Sequence, residues 1–389
     1  VGGAIENVYG DLKDADDDSF TKLVKNLFTL GDEDYPEFLN QLTGAEHAQH
    51  LQSVLWSTRA INRIITERME CSGANMYGPY AQVDGQTIQP VADLPAPVTG
   101  CFVPQTGALW ARAWGSWNDH SGDENAPGYS EDQFGIIFGG DYSFDENWFA
   151  GMAGGYFSSD VSFDRWGGRG GSSIDYDGFQ LAGYGGYDNS IWYARGVLSY
   201  GNYDGTSNRL IQFGPSPIDP VGKPSSDTLA FYGETGYRFM MSQSMSLAPF
   251  VGLGFATATL DGFTESDPEG TGAALEVHES DADSLYLRVG GRLSGHAEMT
   301  GGLFSPELAV AWEHEFKDTV QSVDMSFADA PAGADFTVVS ASTARDSFLV
   351  DAGGKFAMGQ AFDLGVYYSG RFNGDYDSHA ITGRLGFKF

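Results

Sequence analysis

The chain has 389 residues, 41% hydrophobic and 14% aromatic, with 53 glycines and a net charge of −32 from 21 basic and 53 acidic side chains. That charge excludes a nucleic-acid binder, which needs a basic footprint. The aromatic content excludes a disordered chain, and glycine without a three-residue period excludes collagen. No apolar run reaches the roughly 18–20 residues of a membrane helix, but a membrane β-barrel stays open because its strands alternate.

Val1 is not an initiator Met, and no signal-peptide pattern follows it. The sequence is therefore expected to begin inside a longer precursor or at a processed end. Phe20, Leu23, Val24, Leu27 and Phe28 recur at helical spacing. Asp34 can cap a short helix through Leu42 that Gly44 ends. Leu51, Val54, Leu55, Ile61, Ile64 and Ile65 mark a longer amphipathic helix over residues 45–70. Residues 71–105 read as a loop broken by Pro79, Pro90, Pro95, Pro97 and Pro104. Cys71 and Cys101 flank it outside any Cys-x-x-Cys pattern. They are expected to form one disulfide in an oxidising compartment, with two unrelated free thiols as the alternative.

From about residue 107 the period becomes two. Leu285, Leu287, Val289 and Leu293 oppose Arg288 and Arg292; Leu308, Val310 and Trp312 oppose Glu307, Glu313 and Glu315. Twelve such strands are expected, near 108–118, 133–143, 147–158, 173–187, 190–204, 226–241, 245–260, 281–298, 303–317, 344–358, 361–373 and 377–389. They exceed the usual length of globular strands, roughly five or six residues. Short turns alternate with the long loops 119–132, 159–172, 205–225, 261–280 and 318–343, as in outer-membrane barrels. The fold class is thus an all-β transmembrane barrel of twelve antiparallel strands, preceded by a helical region. Its domains are 1–70, a helical junction; 71–106, a Pro/Gly-rich linker; and 107–389, the barrel.

With the apolar faces toward lipid, the lumen is lined by Arg112, Arg195, Glu234, Arg238, Arg288, Arg292, Glu313, Arg371 and Arg384. A charge facing hydrocarbon costs roughly 2–4 kcal/mol near the midplane, so these residues need a wet lumen or a plug of opposite charge. Salt-bridge ladders that hold the barrel's shape are one reading of them; a polar conduit for polypeptide is the other. The lumen is expected to be filled by helix 45–70, with Glu46, Glu67 and Glu70 on Arg195, Arg288 and Arg292, or else by loop 71–105. Trp117, Phe144, Trp148, Tyr187, Trp192, Phe263 and Phe372 lie near strand ends, where interfacial girdles would place them.

Catalytic patterns are not found. The glycines of 167–171 lack a following helix to hold phosphate, and no Gly-x-Ser-x-Gly elbow is present. His47 and His50 share a helix face without carboxylate ligands in a metal pattern. No metal, cofactor or enzymatic activity is expected.

Four stretches resemble the translocator domain of monomeric autotransporters of the type Va class. They are the Leu39, Leu42, Thr43, Gly44, Glu46 segment; 109–117 as a first strand; Trp312 to Phe316 with the loop containing Phe327 and Phe336; and Arg384, Leu385, Gly386, Phe387, Lys388, Phe389. The resemblance implies an outer-membrane location in a Gram-negative bacterium and a passenger upstream of Val1. It implies a helix that stays in the pore, and Leu385, Phe387 and Phe389 as an assembly signal. The implied partners are outer-membrane lipid and lipopolysaccharide, the barrel-assembly machinery and the chain's own passenger, with the barrel a monomer. Some relatives cut the pore helix at an Asn pair; residues 45–105 contain none. A stand-alone porin or an adhesin barrel is the alternative.

Overall fold

The computed structural model describes residues 1–12, 19–31, 35–69, 82–83, 86–87, 106–165, 171–189, 191–213, 216–242, 244–359 and 361–389. Among them are four helices, α1 (Gly2–Leu12), α2 (Ser19–Leu27), α3 (Tyr35–Gln41) and α4 (Ala45–Arg68). Twelve long strands follow: β1 (Thr106–His120), β2 (Tyr129–Ser143), β3 (Trp148–Phe163), β4 (Ser173–Asp188), β5 (Trp192–Asn208) and β6 (Ser225–Tyr237), then β7 (Met245–Leu260), β8 (Ser280–Gly295), β9 (Gly302–Glu315), β10 (Asp346–Met358), β11 (Phe362–Phe372) and β12 (Tyr376–Lys388).

Each strand pairs antiparallel with the next, and β12 pairs with β1, so the sheet closes with no free edge. Closure continues past β12, where Phe389 N–H donates to Gly107 O at 3.0 Å and Gly107 N–H donates back at 3.1 Å. The twelve expected strands are all present. No described helix is long and apolar enough to span a membrane; the barrel spans it with strands.

Alternation sets the two faces. Leu109, Phe138, Met152, Leu198, Leu253, Val310, Val366 and Leu385 are exposed on the outside, forming the apolar band that lipid covers. Trp117, Phe144, Trp148 and Trp192 stand exposed near strand ends, where an aromatic girdle belongs. Phe263 departs from that expectation: it packs on His47 in the long-loop mouth, ring centroids 5.2 Å apart.

The inner face carries rings as well as charges, including Trp110, Trp114, Phe157, Tyr176, Tyr203, Tyr232 and Tyr286. Wall glycines make room for them. A Cβ on Gly135 would fall 2.0 Å from the Trp114 ring, and one on Gly254 would fall 2.1 Å from Tyr286. Much of the glycine and aromatic excess is therefore one packing device.

The short turns share one rim with the barrel's chain end. The long loops share the other, where segments 263–264, 275–277, 322–327 and 336–339 pair into a small sheet over the mouth. Helices α1 to α3 pack there: Ile5, Phe20, Leu23, Val24 and Phe38 join Leu275, Met325 and Phe327 in one apolar cluster. The Phe20 and Phe327 rings lie 5.2 Å apart. The Gly2–Leu12 helix had no counterpart in the sequence reading. Cys71, Cys101, Glu70 and most of the linker lie outside the described residues.

Candidate functional site: a helix in the barrel lumen

Gly44 takes a left-handed conformation, φ 68°, and turns the chain from the mouth into the barrel. From there α4 descends 24 residues, about 36 Å at helical rise, to the short-turn end. Nineteen of its residues are buried, polar ones included. A helix buried on all sides needs partners for its polar groups, and the wall provides many of them in tiers.

At the mouth, Arg209 grips Glu265 with two bonds of 2.7 Å and donates to Ala273 O, while Leu275 N–H donates to the same carboxylate. His47 of α4 meets Glu265 at 2.9 Å. Burial pushes the Glu265 carboxyl up, but Arg209 and His47 outweigh it and hold it down at about 2. Glu46 accepts from Ser172 at 2.6 Å.

In the middle, Ser53 donates to Glu131 at 2.5 Å, and Tyr176, Ser159 and Gln133 converge on the same oxygen. Thr58 lies 2.6 Å from the Tyr203 hydroxyl. The next residue, Arg59, pairs with Glu313 and Glu315, accompanied by Ser284, and stacks 3.8 Å over the Tyr286 ring. Glu313 also holds Arg288 at 2.7 Å and Arg371 at 3.1 Å. At the foot, Arg63 pairs with Asp351, Glu67 with Arg112 at 2.9 Å, and Arg68 with Asp141 at 3.0 Å.

The nine charged residues expected on the lumen face all lie on inward positions, seven of them buried and Arg292 and Arg371 half-buried. Their partners differ from the expected ones. Arg195 lies directly opposite Glu234, and Arg288 directly opposite Glu313, so strand register pairs them within the wall. Glu234 also takes Arg292, Tyr193 and Tyr232, Arg238 takes Asp188, and Arg384 takes Asp363. Of the helix acids, Glu67 reaches Arg112 and Glu46 stays at the mouth. The residues that tie helix to wall are chiefly cations, Arg59, Arg63 and Arg68. Spacing held their signal: residues 59, 63 and 67 form an i, i+4 stripe of charge along one helix face.

No group of three or more His, Cys, Asp or Glu is arranged to hold a metal among the described residues. Ser53 and Glu131 touch, but His50, the ring beside Tyr176, offers neither nitrogen to a partner. The arrangement does not resemble a nucleophile oriented by a base.

Fold and lumen together define an outer-membrane β-barrel whose pore is filled by its own N-terminal helix. Residues 109–369 match the autotransporter beta-domain, and the chain belongs to that family. It is an outer-membrane translocator domain of a Gram-negative bacterium, of the kind that exports a passenger segment. The translocator domain of NalP from Neisseria meningitidis superposes with a TM-score of 0.62 at 12% identity, covering 89% of this chain and 99% of that one. The transport unit of AIDA-I from Escherichia coli gives 0.55 at 15% identity, covering 82% and 95%. An extracellular serine protease of Serratia marcescens is 22% identical over 90% of this chain and 30% of its own length. Esterase EstA of Pseudomonas aeruginosa is 24% identical over 57% and 36%. The chain spans about a third of the length of the curated relatives it matches.

Proposed function

We propose that residues 107–389 form the membrane anchor and export pore, that residues 1–70 are the trailing end of the exported polypeptide, and that residues 71–106 link the two. The observation that carries this is α4 itself. It runs through the pore with its start at the long-loop mouth and its end at the short-turn foot, so α1 to α3, which precede it, lie beyond the mouth, on the side that an exported chain reaches. Helix and wall meet in tiers of hydrogen bonds and ion pairs, which is the expected end state of a chain that has crossed and stopped.

Of the nine inward charges, Arg112, Glu313 and Arg371 meet the helix in this reading, while the other six pair within the wall and hold its shape. Leu385, Phe387 and Phe389 act as the signal read by the barrel-assembly machinery. Lipopolysaccharide and lipid contact the outer band, and the barrel works as a monomer, since a closed sheet leaves no strand edge to pair. The protease and esterase activities named for the relatives belong to those proteins. This chain is read as non-enzymatic, its role being anchorage and export, and Cys71 and Cys101 as a disulfide in the linker.

A crevice of about 60 Å³ lies beside α4, lined by Ser57, Ser116, Asn118, Gln133, Ser378 and Thr382, room for a few waters. Single-channel conductance in planar bilayers tests the reading. The intact chain should conduct little, and deletion of residues 1–105 should raise conductance several-fold. Equal conductance would remove the plug and favour a stand-alone porin.

A further inference from the structure

The foot of the lumen holds more positive charge than its own acids neutralise. Strand register puts Lys355 of β10 and Arg384 of β12 on either side of Gly365, which has no side chain to separate them. Arg384 in turn lies directly opposite Arg112 of β1. Nearer the rim, Lys388 is opposite Ala108, whose other neighbour is Asp141. The wall there presents four cations against Asp141, Asp351 and Asp363. The helix adds Arg63, Arg68 and Glu67, so six cations stand against four acids.

The two lysines are the informative members. Arg112, Arg68 and Arg384 each have a carboxylate at 2.9–3.1 Å. Lys355 is only 7% exposed and faces inward, and among the described residues neither its ammonium nor that of Lys388 makes a hydrogen bond or ion pair. Arg384, Lys388 and Arg68 are the cations that bear most on Lys355, and Asp363 is the main acid beside it. A largely buried cation without a protein acceptor relies on the little water that reaches it, and an arriving anion stabilises it further. Elsewhere in the lumen, carboxylates that lie directly opposite arginines serve as that anion, as Glu234 and Glu313 do.

We propose that Lys355, Lys388, Arg384 and Arg112 form an entry site for acidic polypeptide at the short-turn end of the pore. The site faces the lumen and not the lipid, so its ligand comes through the pore. The chain ahead of α4 is acidic in sequence: residues 1–44 carry ten acidic side chains against three lysines, with Asp14, Asp16, Asp17 and Asp18 in one run. On the export reading, on which this proposal rests, that segment moves past the foot. A cationic surface set in low-dielectric walls concentrates such a chain at the entrance.

The test uses the full chain in detergent micelles, titrated by calorimetry with a synthetic peptide of residues 11–18. The expected result is binding that Lys355→Gln with Lys388→Gln weakens roughly tenfold at low salt. The same peptide with its aspartates replaced by serine should not bind. Lys355→Arg should restore affinity, which separates lost charge from lost fold, and heat-modified gel mobility checks that each variant is a closed barrel. Unchanged affinity in the double variant overturns the site. Inorganic phosphate binding as tightly as the peptide overturns the polypeptide assignment and leaves a general anion site. Peptide binding in a chain whose N-terminal residues never become accessible to protease on intact cells would sink the export reading and leave the site standing.

Discussion

Arg59 and Glu313 lie 254 residues apart in the chain and form an ion pair inside the barrel. Glu313 is the anion for three arginines at once, Arg59 from the helix and Arg288 and Arg371 from the wall. Because Arg59 also covers Tyr286, withdrawal of the helix would remove a cation from Glu313 and Glu315 and a lid from the ring. The pair joins the helix that fills the pore to the wall that surrounds it.

Glu313→Gln should therefore do more damage than Arg59→Leu. The first leaves Arg288 and Arg371 without their carboxylate and takes one of two from Arg59, at a cost of about 3–5 kcal/mol for a broken buried pair. The second leaves Glu313 with two arginines. Urea unfolding of both variants in micelles gives the order, and conductance should show more frequent open events in Glu313→Gln. A smaller loss for Glu313→Gln would mean that the wall arginines are solvated and the network is not tight.

The barrel was legible because alternation is a strong signal: Leu287 beside Arg288 leaves one choice of face on a lipid-exposed wall. The helix over residues 45–70 was legible for the same reason at its own period. Its partners were not. A lone Arg59 or Arg63 on an amphipathic helix looks like solvated surface, and only the tertiary register of β8, β9 and β10 turns that stripe inward. Glu131 escaped notice because its neighbours Ser53, Tyr176 and Ser159 are scattered over more than a hundred residues. The Gly2–Leu12 helix contains Gly2, Gly3 and Gly10, weak helix formers that packing overrides.

Aspartates crowd the outer wall toward the long-loop rim. Asp132 is directly opposite Asp160, Asp160 opposite Asp175, Asp177 opposite Asp204, and Asp119 opposite Asp377. Like charges in directly opposed positions are destabilising by a few tenths to about 1 kcal/mol per pair. Asp160→Asn relieves two pairs and should raise stability by about 1 kcal/mol at low salt, less at high salt. Unfolding midpoints at two ionic strengths check this, and a loss of stability would show that Asp160 is neutralised by something other than its neighbours.

Phe389 is 69% exposed and adds one pair of backbone bonds with Gly107 at the seam. An exposed ring contributes little to stability, so a role in recognition during assembly predicts an asymmetry. Deleting Phe389 should sharply lower the amount of heat-modifiable barrel in cells, while refolding of the purified chain in detergent should lose little. Equal losses in both settings would make Phe389 a structural strand residue.

The last prediction concerns acid and the mouth. Glu265 holds His47 at the start of α4, Arg209, and the backbone of Leu275. Its carboxyl is held at about 2 against an ordinary 4.5. A depressed carboxyl stabilises the folded state above its unfolded value, and the contribution is lost as pH falls through the folded one. The mouth should thus keep full stability above about pH 4.5 and weaken progressively toward pH 2, by on the order of 3 kcal/mol in all. The helix foot has separate ion pairs, so the mouth should loosen first. Hydrogen exchange supports a direct test: protection factors at 263–277 and at the first turn of α4 should be steady at pH 5–7 and fall at pH 2.5. Glu265→Gln should show the lowered protection already at pH 6, with little further change on acidification. Protection that falls equally in Glu265→Gln and the unaltered chain would assign the acid response to other groups.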